Sequence, residues 1–204
     1  MPASVLSWMA MCPLAKSIIL SSGGAFTYAT PPTVEKLKDA HDALVKSVAG
    51  AVERALSGRF SYLKLEPSNG CLTLRLERHY VICGRPDLVY LVRGRGSGFF
   101  ALVVDATLSP SVRHKVQGEM VFYIMECFMR YGIATVGLIV GTKLLVLAAP
   151  VFSTEGGVPA MLRNLFKKPE YGSALREAER RRARKPWMCS FCDLKHLCPL
   201  GGEI

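Results

Sequence analysis

The cysteines near the end of the chain constrain the fold most. Three of the seven cysteines in this 204-residue chain form a C-x2-C-x5-C pattern at Cys189, Cys192 and Cys198. A C-x2-C pair places two thiolates close enough to bind one metal centre, and a tetrahedral site or an iron–sulfur cluster needs a fourth ligand. His196 is the candidate within the tail. Cys12 is the distant candidate, because its Cys-Pro dipeptide matches Cys198-Pro199, and it would hold the two chain ends together.

Other uses of these thiols stay open at this point. Zinc could occupy the same four thiolates, and the thiols could also be unligated. A redox dithiol is disfavoured because the C-x2-C pair does not follow a strand at the start of a thioredoxin-like unit. The remaining cysteines, Cys71, Cys83 and Cys127, lie in apolar strand or helix patterns and are predicted to be small buried hydrophobic residues. An odd cysteine count disfavours a secreted protein stapled by disulfides.

The charge of the chain favours a polyanionic partner. Lys and Arg number 26 against 16 Asp and Glu, which gives a net charge of +10 and a pI of about 9.4. Such a surplus attracts nucleic acid or an anionic membrane. The basic run at residues 180–185 is predicted to contact phosphates, or else to be a solvated helix that Glu177 and Glu179 partly neutralise.

The apolar segments favour a protein without membrane contact. The first 20 residues faintly resemble a signal peptide, but they lack a basic start and are interrupted by Pro13 and Lys16. Residues 136–152 form the most apolar window, which is shorter than a spanning helix and contains Lys143. Two short buried strands joined by a turn explain this window better. We therefore expect a soluble, cytoplasmic protein.

The order of elements predicts an α/β fold, a mixed central sheet flanked by helices, in a single domain over residues 1–204. Asn69-Gly70 predicts a hairpin turn, and the unbroken apolar run at 99–104 predicts a strand that is buried on both faces and ends at Asp105. The predicted helices are residues 3–20, 33–56, 109–131 and 158–185, and the predicted strands lie within 61–100 and at 135–140 and 144–148.

Two carboxylates mark the edges of adjacent predicted strands. Asp87 begins one strand and Asp105 ends another, so the two could share a divalent metal with the backbone carbonyl of Ala106. His41, on the preceding helix, could complete the site. A metal there would orient a water molecule and neutralise charge on a phosphodiester. Taken singly, each aspartate could instead be a turn or cap residue, and His41 a surface residue.

Together these residues resemble a known family. The sequence is similar to the CRISPR-associated, RecB-like nucleases of the PD-(D/E)XK superfamily that carry an iron–sulfur cluster. The resemblance covers nearly the whole chain. The matching positions are Cys12, His41, Asp87, Asp105, the helix glutamine Gln117, and the terminal Cys189, Cys192 and Cys198.

The resemblance implies a restriction-endonuclease-like core in which His41, Asp87 and Asp105 bind Mg²⁺ or Mn²⁺. It also implies that Cys12, Cys189, Cys192 and Cys198 bind an iron–sulfur cluster, [4Fe-4S] or [2Fe-2S], through segments 1–31 and 186–204. The implied activity is cleavage of single-stranded DNA, as an exonuclease, in CRISPR spacer acquisition. The implied partners are single-stranded DNA and the CRISPR integrase, and an oligomer is compatible. The alternatives are a catalytically weakened DNA-binding iron–sulfur protein and a zinc-bearing nucleic-acid-binding factor.

The chain departs from that family in two places. The family has a lysine two residues after the second acid, where this chain has Thr107. It also has Gln-x3-Tyr on the next helix, whereas Gln117 is followed four residues later by Val121, and the nearest tyrosine is Tyr123.

Another cation is needed if Thr107 replaces the lysine, since charge develops on the phosphate. Arg113, Lys115 and Lys143 are near in sequence. We predict Arg113, because it lies four residues before Gln117 on the same helix face; the alternative is that Arg113 contacts only DNA or solvent. Lys115 would point about 200° away from Gln117 in an α-helix and is expected to contact DNA only. The predicted catalytic residues are thus Asp87, Asp105, Gln117 and Arg113.

Overall fold

A five-stranded mixed sheet forms the centre of the molecule. In the computed structural model the strand order is β1 (Ser61–Leu65), β4 (Leu88–Arg93), β5 (Phe99–Thr107), β6 (Ala134–Gly141) and β7 (Leu145–Ala148). β5 and β6 run parallel, and the other neighbouring pairs are antiparallel. Helices lie on both faces of this sheet, so the predicted α/β class with a mixed sheet is confirmed.

The structure describes most of the chain. The described residues are 1–23, 32–76, 78–94, 96, 98–108, 115–142, 145–148, 160–185, 189, 192 and 194–201, of which 32–36, 145–148 and 160–161 are described by their backbone alone. Arg113 and Lys143, two of the three candidate cations, lie outside the described residues.

One face of the sheet packs against the long helix α3 (Pro32–Ser57). Side chains of β4 and β5 alternate between the faces, as in any strand. Val104 and Ala106 of β5 join Tyr90 and Val92 of β4 in an apolar cluster with Val48 and Leu56 of α3. The predicted helix 33–56 is confirmed, and its apolar stripe is what covers this face.

The opposite face is covered by several shorter helices. They are α1 (Ser4–Met11), α2 (Pro13–Ser21), a π-helical turn (Val116–Met120), α4 (Val121–Tyr131) and α5 (Ala160–Leu165), and α6 (Tyr171–Arg184) packs on α2. Val103 of β5 belongs to the core on this side, together with the fully buried Leu6, Phe122 and Leu162.

Two predicted helices are each divided in two. The single helix predicted over residues 3–20 breaks at Cys12, where Pro13 begins α2, because proline has no N–H to continue a helix but suits a first turn. The helix predicted over 158–185 is interrupted between α5 and α6. Glu170 caps α6 by accepting hydrogen bonds from the backbone N–H groups of Gly172 and Ser173.

The hairpin turn predicted at Asn69-Gly70 is wrong. β2 (Gly70–Arg75) pairs with β3 (His79–Gly84) in a separate two-stranded sheet, whereas β1 pairs with β4. Gly70 serves packing instead of a turn, since a Cβ at this position would collide with the side chain of Glu126 on α4.

The predicted role of two cysteines is also wrong. The β2–β3 register places Cys71 opposite Cys83, and the two form a disulfide on a partly exposed hairpin. Cys127 is buried in the core, as predicted. No helix within the described ranges is both long and apolar enough to cross a membrane.

Candidate active site

Two aspartates from neighbouring strands meet at one end of the sheet. The β4–β5 register pairs Leu88 with Val104, so Asp87, which precedes β4, lies level with Asp105. The carboxylate of Asp87 accepts a hydrogen bond of 2.6 Å from the backbone N–H of Ala106 on β5. Asp105 lies within β5, which continues to Thr107, so the prediction that the strand ends at Asp105 is wrong.

Helix α3 brings His41 to the same point. The Nε2 atom of His41 lies 3.2 Å from the carbonyl oxygen of Ala106 and 3.6 Å from Oδ2 of Asp87. The imidazole, the carbonyl and the carboxylate therefore converge, with Asp105 adjacent in sequence to Ala106. The structure brings together three of the four groups predicted as metal ligands, His41, Asp87 and the Ala106 carbonyl, whereas the carboxylate of Asp105 accepts a hydrogen bond from Lys115.

Lys115 also belongs to this site. Its ammonium lies 2.7 Å from Oδ2 of Asp105 and 3.6 Å from Oε2 of Glu119. The prediction that Lys115 points away from the site is wrong. That prediction assumed that Gln117 faces the site. Lys115 and Glu119, four residues apart on one side of this helical segment, face it instead, and Gln117 is two residues from each.

Glu119 is a residue of this candidate site that the sequence reasoning missed. It is buried, and its carboxylate accepts hydrogen bonds from the hydroxyl groups of Ser7 on α1 (3.2 Å) and Tyr123 on α4 (3.1 Å). Gln117 is half-buried, and the hydrogen bonds and ion pairs of the site described above do not include it. A signal was present in the sequence, since Glu119 and Tyr123 are an acid and a tyrosine four residues apart within an apolar helix.

The electrostatics of the site follow from its burial. Burial raises the pKa of Asp105 to about 7, while the charge of Lys115 opposes the shift and the charge of Glu119 adds to it. Burial also raises the pKa of Asp87. For Lys115, burial alone would lower the pKa, but Glu119 and Asp105 outweigh it and raise the pKa. Three acids thus face one ammonium, an imbalance that favours binding of a further cation.

The donor chemistry of this site fits a hard divalent metal. Carboxylate and carbonyl oxygens are the ligands of Mg²⁺ and Mn²⁺, and an imidazole is compatible with Mn²⁺. The side chains are not already gathered as ligands, because no three His, Cys, Asp or Glu residues in the described part of the chain are placed to hold one ion. Asp87, Asp105, His41 and the Ala106 carbonyl are the groups that would hold the metal.

The second site is a pocket between the two chain ends. All four predicted cluster ligands, Cys12, Cys189, Cys192 and Cys198, line it. Burial raises the pKa of the Cys189 thiol, and the neighbouring Cys12 and Cys198 raise it further. The thiols from the two ends are therefore close enough to influence one another, and four thiols are a suitable donor set for an iron–sulfur cluster or zinc.

Arginines of α6 hold both cysteine-bearing segments. Arg181 donates a hydrogen bond to the carbonyl of Met11, next to Cys12, and Arg182 donates one of 2.6 Å to the carbonyl of Leu200, close to Cys198. Arg181 also pairs with Glu177. Part of the basic run thus has a structural role, and the phosphate-contacting role of the exposed remainder stays a prediction.

No protein-family model and no curated protein matches this chain. Among solved structures, the crystal structure of SSO0001 is similar, with a TM-score of 0.46 and 12% sequence identity over all of this chain and 87% of that chain. A similarity this low supports no argument about fold family or function.

Proposed function

We propose that this protein is a metal-dependent nuclease that hydrolyses single-stranded DNA and carries a structural iron–sulfur cluster. The observation that carries the proposal is the convergence of His41, Asp87 and the Ala106 carbonyl within 3.6 Å, next to the buried Asp105. Buried acids that face one another without full neutralisation are costly, and such groups cluster at functional sites.

Each residue of the site has a distinct task in this proposal. Asp87 and Asp105 would hold Mg²⁺ or Mn²⁺ with His41 and the Ala106 carbonyl. A bound ion of this kind lowers the pKa of a water molecule and neutralises charge on a scissile phosphate. The hydrogen bond from the Ala106 N–H fixes the Asp87 carboxylate on β5, so that both acids are held by the same strand.

The finer fold and the cellular role rest on the sequence resemblance. Acids on adjacent strands of a mixed sheet, with a helix from each face reaching them, suit a restriction-endonuclease-like core. The resemblance supports exonuclease action in CRISPR spacer acquisition, alongside the CRISPR integrase. The net charge of +10 supports a nucleic-acid substrate, because Lys and Arg contacts to phosphates dominate such binding.

The cluster is the second part of the proposal. Cys12, Cys189, Cys192 and Cys198 would ligate one iron–sulfur centre, which would connect the two ends of the chain. An iron–sulfur protein is brown and a zinc protein is colourless, so the colour and the iron content of protein purified without oxygen distinguish the two metals.

A cleavage assay tests the activity. The wild-type protein is incubated with single-stranded DNA labelled at the 5′ or the 3′ end, with Mn²⁺ or with a chelator. We expect Mn²⁺-dependent shortening, and the label that is released first gives the polarity. DNA binding without cleavage under all metal conditions would contradict the nuclease proposal and favour the DNA-binding alternative, for which the absence of a lysine at Thr107 is the supporting observation.

A further inference from the structure

Thr107 lies on β5 beside the carboxylate site and carries no charge, so any cationic side chain at this site comes from another position. Residues two apart on a strand lie on the same face, so Thr107 shares the face of Asp105. A threonine brings no charge to that face. Phosphodiester hydrolysis develops negative charge, and fixed cations close to that charge stabilise the transition state. If the proposed nuclease function holds, the charge comes from another element.

Lys115, directly before the π-helical turn, lies on this face. The ammonium of Lys115 donates to Asp105 at 2.7 Å and lies 3.6 Å from Glu119. Its side chain is largely buried, with an exposed fraction of 19%, so water screens the charge little. A buried lysine side chain is long and flexible, so its ammonium keeps one position only if its hydrogen-bonding partners are fixed.

The partners of Lys115 are themselves held. Glu119 accepts hydrogen bonds from Ser7 and Tyr123, so its carboxylate is fixed between α1 and α4. The approach of α1 is close at this point, because a Cβ on Gly118 would lie 2.5 Å from the carbonyl oxygen of Leu6. The π-helical turn, Gly118 and the Ser7 hydrogen bond therefore keep the ammonium beside Asp105.

We propose, on the basis of the nuclease function above, that Lys115 is the positioning cation of the carboxylate site, which orients Asp105 and supplies from the helix the positive charge that β5 lacks at Thr107. The substrate class is a DNA phosphodiester. A lysine on β5 at position 107 could take over this role of Lys115, because both side chains would lie on the same side of the sheet.

The test removes the ammonium at position 115 and places one at position 107 on β5. Single-turnover cleavage of labelled single-stranded DNA in Mn²⁺, at saturating DNA, is measured for Lys115→Met, Lys115→Arg and the double variant Thr107→Lys/Lys115→Met. We expect Lys115→Met to lose a factor on the order of 10² in rate with little change in Kd for DNA. Lys115→Arg should retain more activity, and the double variant should recover about tenfold.

Lys64→Met is the control, because Lys64 on β1 also pairs with a carboxylate, that of Glu53 on α3, at 2.9 Å, but both side chains are partly exposed and lie away from the site. An unchanged rate in Lys115→Met would overturn the proposal. So would a loss confined to the Kd for DNA, or a loss shared equally by the Arg variant and the double variant.

A second readout separates this inference from the nuclease function. Mn²⁺ binding is titrated by electron paramagnetic resonance on the folded variants, without DNA. Removal of the ammonium leaves the acids more negative, so Lys115→Met should bind Mn²⁺ several-fold more tightly, whereas Lys64→Met should not. Wild-type protein that fails to cleave contradicts the nuclease function, while an unchanged Mn²⁺ affinity in Lys115→Met contradicts the role of Lys115.

Discussion

The carboxylate site and the cysteine pocket are built in opposite ways. The carboxylates lie on two central strands, and backbone and side-chain hydrogen bonds fix them from several elements. Cys12 lies at the junction of helices α1 and α2, whereas Cys189, Cys192 and Cys198 lie in a tail whose described residues include a 3₁₀ turn at Lys195–Leu197. In the described residues of this tail, the N–H groups of Cys192 and Cys198 donate to carbonyls three residues earlier, and Leu194 is buried.

This difference indicates what each site needs. The sheet and its helices position the acids, so the carboxylate site is expected to keep its form without a metal. Among the described residues, the tail side of the cysteine pocket is held by contacts that include the Arg182 hydrogen bond and the buried Leu194. A bound centre is therefore expected to contribute much of its stability, as structural metals do in small domains. The loss of each metal should therefore have different consequences.

The largest expected effect is on chemistry. Asp105→Asn keeps the shape of the side chain but removes its charge, and we expect the cleavage rate to fall by a factor on the order of 10³. Binding of single-stranded DNA should persist, because phosphate contacts come from Lys and Arg. The control is Asp39→Asn on the exposed surface of α3, and full activity in Asp105→Asn would end the assignment of this site.

The cysteine pocket should respond in colour and thermal stability. Cys198→Ala should bleach the visible absorbance and lower the Tm, because the centre that joins the chain ends is lost. Cys127→Ala, in the core, and the double variant Cys71→Ser/Cys83→Ser, in the hairpin, should keep the colour. Bleaching in either control with retained colour in Cys12→Ala would show that the ligand assignment is wrong.

A third variant tests the contact between the two regions. Helix α1 carries Ser7 of the carboxylate site and ends next to Cys12, and it packs closely on Gly118. Gly118→Ala should lower the free energy of unfolding by about 1–3 kcal/mol, because the added Cβ overlaps the Leu6 carbonyl. It should also slow cleavage. Gly58→Ala, where an added Cβ meets nothing within 4 Å, is the control for both measurements in denaturant titration and cleavage assays.

The smallest effect concerns the arginine contact to the tail. Arg182→Ala removes a donor to the Leu200 carbonyl and should lower the free energy of unfolding by about 1–2 kcal/mol, with faster loss of colour in air. The neighbouring Arg184→Ala, at an exposed position, should change the unfolding free energy by less than about 0.5 kcal/mol. Equal effects of the two variants would contradict a specific stabilisation of the tail by the Arg182 hydrogen bond.

The sequence allowed prediction of the elements whose patterns are local. The apolar stripe of α3 follows the helical period, and the apolar run of β5 is unbroken. The meeting of Asp87 with Asp105 was predicted from an acid at the edge of each of two adjacent strands, although Asp105 lies two residues before the end of β5. Lys115 was misplaced because Gln117 was taken to face the site. The contacts of the π-helical turn with α1, at Gly118 and through the Ser7–Glu119 hydrogen bond, hold Glu119 and Lys115 there instead. Such a contact between distant segments leaves no periodic signal.

The cysteine assignments divide in the same way. The C-x2-C-x5-C pattern is local and led to the pocket that the structure places around Cys12 and the tail thiols. The pairing of Cys71 with Cys83 depends on the register of β2 and β3, which the misread Asn69-Gly70 turn concealed. A turn motif predicts a hairpin only if the strands on either side of it pair.

The most direct test of the account is to measure both metals in the same set of variants. Bound Mn²⁺ is determined by electron paramagnetic resonance and iron by elemental analysis, in wild-type protein, Asp87→Asn, Asp105→Asn and Cys198→Ala. The account predicts that the aspartate variants lose Mn²⁺ and keep iron. Cys198→Ala should lose iron, and its remaining folded fraction should keep Mn²⁺. Undiminished Mn²⁺ binding in both aspartate variants, or wild-type protein that holds no iron when purified without oxygen, would contradict it.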